Sequence, residues 1–313
     1  MKQIIPIFFA TDENYAPYLS VTLESMLANA SKKCFYKIHV LTSKLSDATK
    51  ARIEKSLTKN SSIEYVSLTK ELDKVSEKLH LRDYYSKETY YRFFIANLYP
   101  QYDKVLYLDC DIIVLGDISE LYNVPLGNRL VAACQEEVMA TVKVFGDYVE
   151  KALDVPCADY FNAGILLMNA KLFREEDIES QFVELLGQYK FRVTQDQDYL
   201  NVLCKGRTKQ IHLGWNKTAF DNPFFNEKML RIIHYKMTNK PWRYSNVKYA
   251  DHFWKYAKKS PFYKEILHER DTYGEMQRQR DIDCYANLVE MARADTVDPE
   301  NYKNSLQRKR IAL

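Results

Sequence analysis

The stretch IIPIFFA, Ile4 to Ala10, carries no polar side chain on either face, so a strand made from it has to be covered on both sides. Helices packed above and below a sheet supply such cover. The next segment provides the first of them: Leu19, Leu23, Met26 and Leu27 recur at helical spacing within Tyr18 to Ala28, entered through Pro17. The alternation then repeats, with strands expected at Tyr36 to Leu41, Ile63 to Leu68 and Val105 to Leu108, and helices at Ser46 to Leu57 and Lys87 to Leu98. Strands separated by helical segments of this length build βαβ units, so the expected class is α/β with a mainly parallel sheet flanked by helices.

The apolar runs Leu130 to Cys134 and Ala163 to Met168 extend the strand pattern, and Lys171 to Tyr189 reads as one long surface helix. After about residue 236 the composition shifts. Lys236 to Glu265 holds eight Lys or Arg against Asp251 and Glu265, interleaved with eight aromatic residues. Such a mixture fits a solvated face with a few buried rings, and equally a peripheral contact with an anionic membrane. From Arg270 onward the chain is highly charged, with a helical stripe through Ile282, Tyr285, Val289 and Ala292 and then a basic tail. The expected organisation is a principal domain over residues 1–258 and a helical, charged extension over 259–313.

With 313 residues and 46% hydrophobic content the chain can bury a large core. Lys plus Arg number 45 against 42 Asp plus Glu, and a net +3 gives no electrostatic reason for a nucleic-acid partner. Six cysteines, Cys34, Cys110, Cys134, Cys157, Cys204 and Cys284, are scattered without a CxxC pair, which fits a reducing compartment. The apolar run in MKQIIPIFFATDENY is too short for a signal peptide or a membrane span. A cytoplasmic protein is expected, with peripheral attachment to the inner face of a membrane left open.

The segment YLDCDIIVLGD, Tyr107 to Asp117, ends its first apolar run in two acids. In a parallel sheet ligands bind outside the carboxyl ends of the strands, where Asp109 and Asp111 would stand. Two carboxylates separated by one residue in extended backbone point the same way and can reach one divalent cation. Their hard oxygens suit Mn2+ or Mg2+, ions that bridge phosphate oxygens. Taken alone, the pair also fits an ordinary turn after a strand. Only eight glycines occur, and neither GxGxxG nor GxxxxGK[ST] is present, so a nucleotide would have to be held without either phosphate-cradling loop.

The longer segment KVLYLDCDIIVLGDISELY, Lys104 to Tyr122, resembles the metal-binding motif of the family 8 glycosyltransferases. These are GT-A (Rossmann-like) enzymes that move a sugar from a nucleotide donor with retention of configuration. The resemblance recurs in order over roughly residues 4 to 243. FATDENYAPYLSVTLESML looks like the family's first strand and nucleotide loop, which implies that Ala10, Asp12, Asn14 and Tyr15 line the base and ribose pocket, with Tyr15 stacking on uracil. ETYYRFFIANLYP implies that Arg92 faces the donor sugar and diphosphate, where its fixed fork suits anionic oxygens. YFNAGILLMN implies a sugar pocket at Asn162, Ala163 and Gly164, and TQDQDYLN places Asp196 and Gln197 nearest the anomeric carbon. HYKMTNKPW implies His234 as a third metal ligand beside Asp109 and Asp111, and Lys240 as a contact to the diphosphate. One block departs from the pattern: VAACQEE has Glu136 where family members present an aspartate that touches donor and acceptor sugars.

The resemblance implies UDP-glucose or UDP-galactose as donor and a saccharide acceptor, including membrane-embedded glycolipids such as a lipopolysaccharide core, with an α-glycosidic product. An amide oxygen is weakly nucleophilic, so Gln197 favours front-face attack, with Asp196 and Gln197 steadying an oxocarbenium-like sugar, over double displacement. Two other readings share an acidic metal site. A sugar nucleotidyltransferase usually carries a Gly-rich N-terminal loop, which FATDENY lacks. A catalytically idle UDP-sugar-binding scaffold would not need the acid pair, His234 and Lys-Pro-Trp kept intact.

Overall fold

The computed structural model of the chain describes residues 2–68 and 87–311. Its strands, in chain order, are β1 (Gln3–Ala10), β2 (Cys34–Thr42), β3 (Ser61–Ser67), β4 (Val105–Leu108), β5 (Ile112–Val114), β6 (Val131–Ala133), β7 (Ile165–Met168), β8 (Thr208–Gln210), β9 (Lys217–Thr218) and β10 (Ile232–His234). Seven of them form the central sheet in the order β3-β2-β1-β4-β7-β6-β8. The sheet is mainly parallel, as the sequence predicts. The exception is β7, which runs antiparallel to both β4 and β6. Strand β1 is covered on both faces: Ile5, Ile7 and Phe9 pack into one core cluster with the helix Ala16–Ala28, and Phe8 packs into the other with Tyr91, Phe93 and Tyr107.

A second sheet was not legible in the sequence. Strand β5 pairs antiparallel with β10, and β10 pairs in parallel with β9. The chain therefore leaves the main sheet at Leu108 and enters the small one at Ile112, with the two acids in between. Thr22, on the helix Ala16–Ala28, braces this passage: its buried hydroxyl lies 2.7 Å from the Cys110 carbonyl oxygen and 2.8 Å from that of Ile112. One turn on, the Ser25 hydroxyl accepts a hydrogen bond from the Val114 N–H at 2.9 Å.

Two predicted helices are broken. Lys87 to Leu98 forms a 3-10 stretch, Lys87–Phe93, followed by a short helix, Ile95–Leu98. Tyr90, Tyr91, Arg92 and Phe93 are all buried there. Tyr90, Tyr91 and Phe93 pack into the core while Arg92 turns to Asp109 and Asp196, and these tertiary demands override the helical spacing. Lys171 to Tyr189 divides into Ala170–Glu175 and Ile178–Gln188, with Asp177 left-handed at φ 50° between them. The acids Glu175, Glu176 and Asp177 oppose the dipole at the end of the first helix, and Asp tolerates the left-handed region better than most residues.

The aromatic residues between 236 and 264 mostly turn inward. Trp242, Phe253, Tyr256 and Phe262 are buried against the helix Ala16–Ala28, and Trp242 stacks on Tyr18 with ring centroids 3.9 Å apart. The helices Tyr263–Thr272, Glu275–Val297 and Tyr302–Ile311 follow. On Glu275–Val297 the inward stripe runs through Asp281, Leu288 and Ala292, whereas Ile282 is 62% exposed, so the stripe expected from sequence is rotated. Among the described residues, no helix is long and apolar enough to cross a membrane.

One buried ion pair ties the small sheet to the short helix Glu137–Thr141 that follows β6. Lys217 on β9 is fully buried, with its ammonium 3.1 Å from the Glu137 carboxylate, and Glu137 also accepts hydrogen bonds from the Thr218 N–H and the Asn222 amide. Removing one member strands the other charge, so Lys217→Met should destabilise the fold by about 3 to 5 kcal/mol in urea denaturation. The double change Lys217→Met with Glu137→Leu should recover much of that loss.

Candidate active site

Two strand ladders converge on the acid pair. The β4/β7 register, which sets Leu108 opposite Ile165, continues one residue further, where the Asp109 N–H donates to the Gly164 carbonyl at 2.7 Å. In the small sheet His234 stands opposite Ile112, and the Tyr235 N–H donates to the Asp111 carbonyl at 3.0 Å. One ladder thus delivers Gly164 to Asp109, and the other delivers His234 to Asp111. Ligand atoms of Asp109, Asp111 and His234 all lie within 4.8 Å of one another.

The imidazole is oriented from behind. His234 Nδ1 lies 2.9 Å from the Asn216 amide oxygen, so Nδ1–H donates there and Nε2 is turned towards the acids, 3.2 Å from Asp111 and 3.7 Å from Asp109. The Asn216 amide nitrogen in turn donates to Asn162 Oδ1 at 2.7 Å, which fixes which way the Asn216 amide points. Sequence reasoning missed Asn216, because GWNK has no spacing that marks a supporting residue. Gly164 keeps the space in front open: a Cβ there would collide with the side chains of His234 and Asp109. Two carboxylates, one oriented imidazole and a glycine-walled gap fit a hard divalent cation.

Lys240 reaches the same point from the other side, its buried ammonium donating to Asp111 and to the Tyr235 carbonyl. The stack of Trp242 on Tyr18 anchors the Lys-Pro-Trp turn and so explains its tryptophan. Burial would raise the Asp111 carboxyl, but Lys240 and His234 outweigh burial and hold it well below the usual carboxylate range. It is therefore an anion at any physiological pH, as a metal ligand needs to be.

Arg92, only 2% exposed, organises the sugar side. Its guanidinium donates to the carbonyls of Ala163 and Thr89, lies 3.3 Å from Asp109 and 3.2 Å from Asp196, and covers the Tyr107 ring. Burial pushes the Asp196 carboxyl up to about 7, with Arg92 pulling the other way. Asp196 and Gln197 open the helix Asp196–Leu203, which is entered through Gln195 at φ 52°. A non-glycine residue held in that region marks local strain at the site. The Gln197 amide oxygen accepts from the Ala163 N–H at 3.0 Å and from the Asn162 amide at 3.2 Å. Glu136 takes hydrogen bonds from Asn162 at 2.6 Å and from the Val138 N–H at 3.1 Å, and it pairs with Lys236. Burial would raise its carboxyl, but Lys236 and Asn162 bring it below the ordinary value.

All the residues singled out by sequence line one cavity of about 650 Å³. Ala10, Asp12, Asn14 and Tyr15 form one end, Asp109, Asp111, His234, Lys240 and Arg92 the middle, and Asn162, Ala163, Gly164, Asp196, Gln197 and Glu136 the wall beyond. At the first end the Tyr15 N–H donates to Asp12 Oδ1 at 2.8 Å. Cys110, between the acids, is buried and its thiol contacts the Ala10 carbonyl.

Residues 6–246 match the family described as Glycosyl transferase family 8, and the chain belongs to that family. It is therefore a glycosyltransferase of the GT-A fold. A lipopolysaccharide 1,3-galactosyltransferase of Salmonella typhimurium is 28% identical over 252 residues, which cover 75% of this chain and 72% of the relative. Among solved structures, the galactosyltransferase LgtC in complex with donor and acceptor sugar analogues superposes with a TM-score of 0.68 at 27% identity, covering 82% of this chain and 96% of that one. The bifunctional glycosyltransferase WbbM superposes with a TM-score of 0.75 at 29% identity. That match takes in 87% of this chain and 52% of WbbM, so this chain spans about half of the larger protein.

Two substitutions test the geometry without relying on turnover. Asn216→Ala should weaken Mn2+ affinity by about 10-fold to 100-fold in calorimetry, because the ligating imidazole loses its orienting partner. Gly164→Ala should remove Mn2+ binding while leaving far-ultraviolet circular dichroism unchanged.

Proposed function

We propose that the protein transfers glucose or galactose from a UDP-sugar to a hydroxyl of a saccharide acceptor, with retention, forming an α-glycosidic bond. The observation that carries this reading is the convergence of Asp109, Asp111 and His234 in a cavity whose other walls hold the residues matching the family's donor pocket. Asp109, Asp111 and His234 would hold Mn2+ or Mg2+. When bound, that cation supplies the positive charge that a departing diphosphate requires. Lys240 adds a fixed ammonium at the same place, so departure needs no general acid. Tyr15, with Ala10, Asp12 and Asn14, receives the uracil and ribose.

The sugar lies against Asn162, Ala163 and Gly164. The Gln197 amide oxygen is held by the Ala163 N–H and the Asn162 amide, and Asp196 lies beside Arg92; these contacts favour the two as fixed dipole and charge near the anomeric carbon rather than as nucleophiles. Front-face attack is the retaining course that suits them, with the leaving diphosphate accepting the proton of the incoming hydroxyl. A solved glutamine-to-glutamate variant of LgtC is an active-site mutant, which agrees with a glutamine near the chemistry. The Salmonella relative acts on lipopolysaccharide by name, so a lipopolysaccharide or other glycolipid, or a partly glycosylated protein, is the acceptor class offered first. A cytoplasmic setting at the inner membrane face suits that substrate, and residues 1–258 would form the catalytic domain with 259–313 as its extension.

Release of UDP from UDP-glucose and UDP-galactose should require Mn2+ or Mg2+ and stop when EDTA is added. Asp111→Ala and His234→Ala should each lower turnover at least 100-fold. Full activity in either variant would refute the metal assignment, and pyrophosphate in place of UDP would point to nucleotidyl transfer. NMR of the product should give an α-linkage; a β-linkage would exclude retention.

A further inference from the structure

The cavity does not end at the sugar pocket. Beyond Glu136 and Gln197 it continues along Val138, Met139 and Phe145 and meets Cys284, Tyr285 and Leu288 on the helix Glu275–Val297. That helix lies outside residues 6–246, the part of the chain that matches the family. We infer that this arm is an acceptor subsite which takes a saccharide carrying an apolar aglycone, seated against Tyr285; the inference rests on the transfer reading above.

None of the six side chains carries a charge. Phe145, Met139 and Leu288 are 1%, 4% and 5% exposed, so they form a fixed floor, whereas Tyr285 is 50% exposed and presents its ring at the rim. Tyr285 sets its ring edgewise against Phe145, with centroids 6.3 Å apart. The rotation of the helix is fixed one turn earlier, where the buried Asp281 carboxylate accepts hydrogen bonds from Tyr244 at 2.6 Å and Tyr273 at 2.8 Å. A locked helix that offers an exposed aromatic ring above an apolar floor suits an alkyl or aryl group, or the C–H face of a pyranose.

Charge selects in the same direction. Where the arm leaves the sugar pocket, Lys236 is paired with Glu136, so the two cancel. An acceptor bearing phosphate or carboxylate would meet no uncompensated cation on the described wall of this arm, and burying such a group there would be unfavourable. A neutral sugar can use the remaining hydrogen-bonding capacity of the Glu136–Lys236 pair for its hydroxyls while its aglycone lies on Tyr285. A lipid tail and an aromatic group share the needed chemistry, and different probes separate them.

The test uses the full chain with UDP and Mg2+ and follows methyl, hexyl and phenyl β-glycosides of glucose and galactose by saturation-transfer NMR. Hexyl or phenyl glycosides should bind at least 10-fold more tightly than the methyl glycosides, and a preference for hexyl over phenyl would favour a lipid source. Tyr285→Ala should cut that advantage to less than twofold with UDP affinity unchanged, and Tyr285→Phe should restore it. In transfer assays Tyr285→Ala should raise the acceptor KM and leave hydrolysis of the UDP-sugar by water unaltered. Equal binding of methyl and apolar glycosides to the wild type would overturn the inference. So would an advantage that survives Tyr285→Ala, or a parallel loss of UDP affinity in that variant. Failure of UDP to bind the wild type would instead strike the transfer reading and the subsite with it.

Discussion

The structure depends on one backbone passage, the three residues Asp109, Cys110 and Asp111 that carry the chain from the main sheet into the small one. Leu108 is tied by its ladder to Ile165, and Ile112 is tied by another ladder to His234. Neither end of the passage can shift without breaking strand pairing, so the acids are held by two sheets at once. Thr22 grips the middle of the same passage through the Cys110 and Ile112 carbonyls. Pre-organisation of this kind matters for a cation site, because carboxylates that must gather around an ion lose part of the binding energy in the gathering.

Charge is then distributed around the passage in a definite pattern. Asp111 is flanked by Lys240 and His234, Asp109 and Asp196 by Arg92, Glu136 by Lys236 and Glu137 by Lys217. Each acid named here has a cation beside it. Buried pairs of this kind contribute little net stability compared with apolar packing, and removing either member is costly. For the pairs that line the cavity, those of Lys240, Arg92 and Lys236, position is a better explanation than stability. Arg92 illustrates the point: its N–H groups hold the Ala163 carbonyl, Asp109 and Asp196 in one array, linking the acid pair to the helix that carries Gln197.

Much of this was legible in the sequence. The apolar runs gave β1 to β4 with boundaries displaced by only a few residues: β1 and β4, buried on both faces, advertise themselves by continuous hydrophobicity, whereas the half-buried edge strand β3 shows through Ile63, Tyr65 and Val66. The candidate ligand triad was legible only through its resemblance to a family, since His234 lies far from Asp109 in sequence and nothing local marks it. The small sheet was not legible: β5, β9 and β10 are two or three residues long, too short for any periodicity to appear. Asn216 and Thr22 were missed for a related reason, since a polar residue that supports another through one hydrogen bond leaves no pattern. The broken helix at Asp177 and the 3-10 turn around Arg92 reflect tertiary demands that overrode helical spacing.

The stack of Trp242 on Tyr18 has a consequence beyond anchoring a turn. Tyr18 lies one helical turn from Tyr15, whose ring meets it edge to face at 5.3 Å, and Lys240 lies two residues from Trp242. Under the proposed function, the residue offered to the base and the residue offered to the phosphates are thus fixed to one aromatic column. Their separation is a property of the protein rather than of the ligand, so on that proposal the column would act as a gauge for the length of a nucleoside diphosphate. A longer or shorter nucleotide could satisfy one end of it only by releasing the other.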